Sequence, residues 1–245
     1  MRFGLIGSAV LAAAMLLPAD AGAQLSAQDR LCFASFGNDD EDEVIAACTA
    51  VIQSGRGPAE KQAAAHSSRG LAYFIKEDYD RAIADYGEAI RLDPKDPANH
   101  ANRGEAYLYA GDFGSAVADY SAAIGLDPGH ADSYASRAIA YKAMGEHDRA
   151  IADYDTAIRL DPRNAVSRSG RGQAYAAMGD HGRAVADYTA AIALDADAGT
   201  YVDRGNAYAA MGDHARAIAD YRAALKLRPG MRSAQDGLKR LGAGP

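Results

Sequence analysis

Tryptophan is absent from the 245 residues, cysteine occurs twice and phenylalanine five times. A core must therefore be built from the fourteen tyrosines together with small and aliphatic residues. No long Gly/Ser linker divides the chain, which reads as one or two folded units. Beyond the first two dozen residues no run is apolar enough to hold the chain in a membrane. Catalytic signatures are missing too: there is no glycine-rich phosphate loop followed by Lys-Ser/Thr, no HExxH and no Gly-x-Ser-x-Gly. The stretch GRGQAY at 170–175 lacks a third glycine and falls inside an expected helix, so it is no dinucleotide motif. The expectation is a chain that is not an enzyme and takes no cofactor. With a net charge of −7 the chain repels polyanions, and nucleic acid is not an expected partner.

What is present begins with MRFGLIGSAVLAAAMLLPADAGAQ. A basic Arg2, an apolar run from Leu5 to Leu17, the break at Pro18 and the small triplet Ala21-Gly22-Ala23 read as a secretory signal peptide over 1–23, cut before Gln24. The apolar run is short for a hydrocarbon core of about 30 Å, so no stable membrane insertion is expected after cleavage. No cysteine follows the cut, which argues against a lipid anchor. The chain is expected to be exported, periplasmic or secreted. Cys32 and Cys48 then meet an oxidising compartment, which favours a structural disulfide; two reduced, buried thiols are the alternative.

The rest is written in repeats. Gly70, Gly104, Ala138, Gly172 and Gly205 stand 34, 34, 34 and 33 residues apart. Each is followed three places on by a tyrosine: Tyr73, Tyr107, Tyr141, Tyr175 and Tyr208. In step with them run Ala82, Ala116, Ala150, Ala184 and Ala217; then Tyr86, Tyr120, Tyr154, Tyr188 and Tyr221; then Ala89, Ala123, Ala157, Ala191 and Ala224. Four of the five units close on Pro94, Pro128, Pro162 or Pro229. This pattern, over 63–231, resembles the tetratricopeptide repeat family, whose units are 34-residue helix-turn-helix pairs. The fold it implies is all-α, a right-handed α-solenoid of stacked repeats.

The residues support that reading on their own terms. Ala82, Tyr86 and Ala89 are four and three apart, so they share one face of a helix. Small residues on both helices let the backbones approach, and the tyrosine rings fill the space beside the contact. Gly111, Gly145, Gly179 and Gly212 suit the left-handed residue that ends a first helix, while Asp112, Asp180 and Asp213 suit the cap of the next. Lys76-Glu77-Asp78 lacks that glycine, so the first turn is expected to differ. Leu194-Asp195-Ala196-Asp197 replaces the proline and shortens the spacing by one, which predicts an irregular junction between the fourth and fifth units. Upstream, 24–62 reads as a degenerate helix pair with Cys48 where a seam tyrosine would be, stapled by the possible disulfide. Downstream, 232–245 offers a capping helix and tail in which Leu238 and Leu241 cover the last seam.

By the resemblance, the first helices line a concave groove that binds a protein or peptide. Leu71, Phe74, Glu105, Leu108, Tyr109, Ile139, Lys142 and Gln173 are the groove residues it implies, with Phe74, Leu108 and Tyr109 at the centre and Glu105 and Lys142 setting orientation. Some family members grip a C-terminal carboxylate with Lys, Arg and Asn; here Ser67, Leu71, Asp132 and Ser136 occupy four of those places and only Asn102 agrees, which argues against that clamp. The row Arg69, Arg103, Arg137, Arg171 and Arg204 runs in step with Asp85, Asp119, Asp153, Asp187 and Asp220, so paired ladders are expected rather than a phosphate surface. His147, His181 and His214 recur one repeat apart, on the order of 10 Å by the diameter of a helix, too far to share one metal ion. The expected function is a non-enzymatic interaction scaffold. The alternative is a structural component of the cell envelope associating through its ends or convex face; a third, an enzyme with an unrecognised site, has no motif in its favour.

Overall fold

The computed structural model describes residues 27–33 and 40–244. The expected signal segment 1–23 lies outside them. Thirteen helices and no strand occur among the described residues: α1 (Ala27–Cys32), α2 (Glu41–Ser54), α3 (Ala59–Ile75), α4 (Tyr79–Leu92), α5 (Pro97–Ala110), α6 (Phe113–Leu126), α7 (Ala131–Ala143), α8 (His147–Leu160), α9 (Ala165–Ala177), α10 (His181–Leu194), α11 (Ala198–Ala210), α12 (His214–Leu227) and α13 (Arg232–Arg240). They fall into two compact units, one ending at Ser133 and the other beginning at Tyr134. No helix among the described residues is long and apolar enough to cross a membrane.

Local chemistry sets the helix ends. At the turns inside the repeats, Gly111, Gly145, Gly179 and Gly212 take φ between 78° and 83°, a conformation that costs a side-chain-bearing residue about 1–2 kcal/mol. The first turn differs as the sequence predicts: Glu77 adopts φ 60°, the one positive-φ residue other than glycine among those described. Asp78, Asp112, Asp180 and Asp213 each accept a hydrogen bond from a first-turn backbone N–H of the helix that follows. Glu146, one methylene longer, makes no such cap and pairs instead with Arg149 at 2.8 Å. Four of the five second helices of the repeats end two residues before a proline, which cannot continue a helix, and the connection to the next unit is Asp93–Asp96 or its equivalent. Between α10 and α11 that connection is Asp195–Asp197, one residue shorter, yet Asp197 still caps α11 through Thr200 N at 2.8 Å. The irregularity is one of length, with the cap preserved.

The seam tyrosines form the core of every repeat. Tyr86, Tyr120, Tyr154, Tyr188 and Tyr221 are all at most 2% exposed. Their fit depends on small partners. A Cβ added at Gly172 would lie 2.8 Å from the Tyr188 ring, and one at Gly170 would lie 2.5 Å from Tyr154. Since a buried ring cannot retreat in a packed interior, either methyl group would force the helices apart.

The charge ladders are intramolecular. Arg69, Arg103, Arg137, Arg171 and Arg204 each donate two hydrogen bonds to the aspartate sixteen residues on, at 2.6–2.8 Å. The fork geometry of guanidinium on carboxylate makes these strong pairs. A further donor reaches back to the preceding second helix from Arg69 to Thr49, from Arg171 to Asp155 and from Arg204 to Thr189. An arginine thus joins its own repeat and ties it to the one before. Burial pushes the Asp85 carboxyl up, and hydrogen bonds from Arg69 and His66 more than reverse it, leaving it below the usual range.

The pair α1–α2 follows the same register with other residues. Cys32 and Cys48 are joined in a buried disulfide with Cα atoms 4.7 Å apart, packed among Val44, Ala47 and Val51. At the other end α13 covers the final seam: Ala234 and Leu238 bury against Tyr221, and Leu241 packs beside them.

Candidate partner-binding face

In the unit that ends at Ser133, three rings meet across three helices. Phe74, near the end of α3, lies 5.3 Å from Tyr109 of α5, edge-on at 88°. Tyr79, the first residue of α4, lies 5.6 Å from Phe74 and 5.9 Å from Tyr109. All three are half-buried, an arrangement that favours both cohesion among the rings and contact with a further group. One turn before Tyr109, Glu105 shares its face of α5. Burial, reinforced by the nearby charge of Asp132, pushes the Glu105 carboxyl up to about 7. Burial and the Glu105 charge together raise the Tyr109 hydroxyl, and burial and Glu77 raise that of Tyr79.

Tyr79 is the residue that sequence reading misses. It sits at a helix start, where Phe113 stands one repeat later, and nothing in the chain order shows that the turn folds it back onto Phe74 and Tyr109. Two expected members drop out. Leu71 and Leu108 are 7% and 4% exposed, so they belong to the interior and present no surface to a partner. On α5 the buried Leu108 stands next to the half-buried Tyr109, and a sequence pattern does not separate neighbours that finely.

In the other unit the residues behave differently. Ile139 packs onto the core of Ala138, Ala150 and Tyr154. Lys142 on α7 donates a short hydrogen bond to Gln173 on α9, whose Nε2 donates in turn to Asp203 on α11 at 2.8 Å. Burial lowers the Lys142 ammonium, opposed by the charge of Asp203. Burial likewise raises Asp203, opposed by Gln173 and Lys142. A neutral amide therefore bridges two opposite charges and links three successive first helices. Asp203 was not among the expected residues; it stands where Gly170 stands one repeat earlier, and that position shows no common chemistry along the chain. Glu105 and Lys142 belong to different units, and the partners just described lie within the unit of each. Among the described residues no group of three or more His, Cys, Asp or Glu side chains could hold a metal ion.

Repeat geometry and recurrent seam chemistry now stand beside direct comparison. Models described as TPR repeat or tetratricopeptide repeat match residues 70–111 and 140–179, 98–130 and 168–197, and 198–231. Together these cover more than half of the chain. The chain belongs to the tetratricopeptide repeat family. Its fold class is the all-α solenoid of stacked tetratricopeptide repeats. Among solved structures it is similar to MamA, at 26% identity and TM-score 0.61 over 64% of this chain and 92% of that one. It is also similar to a thermophilic TPR protein of Thermus thermophilus, at 23% identity and TM-score 0.57 over 72% and 95%. A third is YrrB, described as a TPR protein with an unusual peptide-binding site, at 18% identity and TM-score 0.63 over 78% and 97%. The latter two likenesses speak for the fold alone. No curated protein matches the sequence. Proteins of this repeat family are generally non-catalytic scaffolds for protein–protein interaction.

Proposed function

We propose that this tetratricopeptide repeat protein is an exported, non-enzymatic scaffold that binds a peptide or partner protein on the face formed by its first helices. The observation that carries the reading is the cluster Phe74–Tyr79–Tyr109, half-buried on a face whose neighbouring residues are occupied with holding the repeats together. Rings already packed on one another are preorganised, so a partner loses little side-chain freedom from this side when it docks. YrrB offers a precedent within the same fold for peptide binding. The arginine row offers none for phosphate, because each of its guanidiniums is already paired with a buried aspartate.

Export rests on the leader at 1–23 and agrees with a disulfide, which persists in oxidising compartments. Sequencing the N-terminus of the chain recovered from the periplasm or medium tests it: a start at Gln24 is expected, and a chain retained in the cytoplasm with its first residues intact would end it. Crosslinking in the native compartment tests the binding face. The captured protein should be lost from a Phe74→Ala/Tyr109→Ala variant that keeps its helical circular dichroism. Undiminished capture by that variant would instead favour association through the ends or convex face.

A further inference from the structure

The ends of the second helices share an exposed leucine, and the charge beside it changes sign once along the chain. Leu126, Leu194 and Leu227 close α6, α10 and α12 and are 42%, 40% and 53% exposed. After the first four second helices of the repeats the next residue is Asp93, Asp127, Asp161 or Asp195; after the last it is Arg228. Three of those aspartates accept a hydrogen bond from the backbone N–H two residues on, Asp93 from Lys95 at 3.2 Å, and Asp127 from Gly129 and Asp161 from Arg163 at 3.0 Å. An arginine side chain is no acceptor, so Arg228 gives up that turn bond. Arg232, the first residue of α13, breaks a second local rule. A cation there faces the positive end of the helix dipole, and α13 has no side-chain cap to offset it.

The surroundings have the same sign. Residues 222–245 hold six of the chain's 26 lysines and arginines and one of its 33 acids, which makes this segment +5 and the rest of the chain −12. Lys226, Arg228, Arg232, Lys239 and Arg240 are all exposed. None of the five forms an ion pair among the described residues, whereas the arginine row and the arginines at four second-helix starts are all paired. Arg232, Lys239 and Arg240 are seven and eight residues apart and share one side of α13, with Asp236 as the single acid among them. The opposite side is anchored, since Ala234 and Leu238 bury against Tyr221. Helix dipoles account for Lys226, Lys239 and Arg240, which stand at helix ends; they do not account for Arg232.

We propose that the loop between α12 and α13, together with the exposed side of α13, docks on an anionic phospholipid surface. Its five cations pair with lipid phosphates, and Leu227 enters the boundary between headgroups and acyl chains. The comparison along the chain favours lipid. Leu126 and Leu194 each precede an aspartate that phosphates repel, while Leu227 stands between Lys226 and Arg228, which phosphates attract. Apolar contact and charge therefore act together after α12 alone. The same surface repels the net negative remainder of the chain, which turns α13 toward the lipid. None of the residues of the proposed binding face is involved.

Sedimentation with vesicles tests the proposal, using the chain that begins at Gln24, which keeps every described helix and lacks the apolar leader. It should bind vesicles containing phosphatidylglycerol and leave those of phosphatidylcholine alone. Raising salt from about 0.1 M to about 1 M, which shortens the screening length from about 10 Å to about 3 Å, should release it. Arg228→Asp restores the residue found after the other second helices and changes the charge by two, so binding should weaken about twentyfold, at about fivefold per charge. Its melting temperature should equal or exceed that of the parent because the turn bond is regained, which separates lost binding from lost folding. Lys239→Gln/Arg240→Gln should weaken binding by a similar factor, and Leu227→Ser about tenfold with the salt dependence unchanged. Equal binding to both kinds of vesicle, no binding, or binding indifferent to Arg228→Asp and to Lys239→Gln/Arg240→Gln would overturn the proposal. So would self-association without lipid that Arg228→Asp abolishes while vesicles stay unbound; that result would assign this end to the acidic surface of a second copy. Phe74→Ala/Tyr109→Ala should bind vesicles as the parent does, which keeps this test apart from that of the binding face.

Discussion

The helix pair α1–α2 and the repeats that follow share a register and differ in what fills it. Shifted by 38 residues, Cys32 and Cys48 stand where Gly70 and Tyr86 stand, and Leu31 and Ala47 stand where Arg69 and Asp85 stand. Even the cap is kept, since Asp40 accepts from Asp42 N just as Asp78 accepts from Arg81 N. In a repeat the small residue and the ring form a van der Waals contact, and the ion pair beside it reaches to a neighbour. In the first pair a covalent bond replaces the contact, and two apolar side chains replace the ion pair. A repeat inside an array is held by interfaces on both sides, whereas α1–α2 has a described neighbour only at α3. Where an interface is missing, restricting the unfolded chain does the work that packing does elsewhere.

The comparison breaks most sharply at a ring. Tyr188→Ala empties a site that is 2% exposed, and about 3–5 kcal/mol of stability should be lost. Because energy in an array is shared between neighbours, denaturant unfolding of this variant should lose its single transition, with the repeats around α10 melting first. Cys32→Ser/Cys48→Ser opens a loop of about sixteen residues, which the chain-entropy estimate values at about 3 kcal/mol. Its effect should stay local: hydrogen exchange ought to quicken in α1 and α2 and remain slow in α8 to α12. Equal loss of protection throughout would show that the staple serves the whole chain. Arg171→Ala comes next, at about 2–3 kcal/mol, since it leaves the buried Asp187 without its fork and releases Asp155 of the preceding repeat. Thermal unfolding of Arg171→Ala with Asp187→Asn should recover part of that loss, because the buried charge is then gone as well.

Period and side-chain volume made the fold legible. Five copies of small residue, tyrosine, alanine and tyrosine fix which faces pack, and the arginine and aspartate rows declare their pairing by a constant sixteen-residue offset. The proposed binding face was less legible because its ring cluster is assembled across repeats. Repeat position alone suggested Phe74 and Tyr109, but Tyr79 meets their rings through a turn, and Asp203 joins Lys142 through Gln173 on an intervening helix. Leu71 and Leu108 show the opposite error. Each sits beside a seam residue, and a shift of one position on a helix, about 100°, carries a side chain from surface to interior.

The smallest effect concerns the turn that departs from the others. Glu77 holds φ 60° where four later turns use glycine at 78–83°, so Glu77→Gly should remove a left-handed penalty of about 1 kcal/mol. Glycine also enlarges the freedom of the unfolded chain, which returns part of the gain, and a net increase of about 0.5 kcal/mol is expected. The reverse change, Gly111→Glu, should cost about 1 kcal/mol by the same reasoning. If Glu77→Gly fails to stabilise while Gly111→Glu destabilises, the carboxylate of Glu77 contributes something in place that a bare turn cannot. The Tyr79 hydroxyl would report it: burial first, and the charge of Glu77 second, raise that group. An ultraviolet titration of the glycine variant should therefore find Tyr79 ionising at lower pH than in the parent, even where the change in melting temperature is too small to measure.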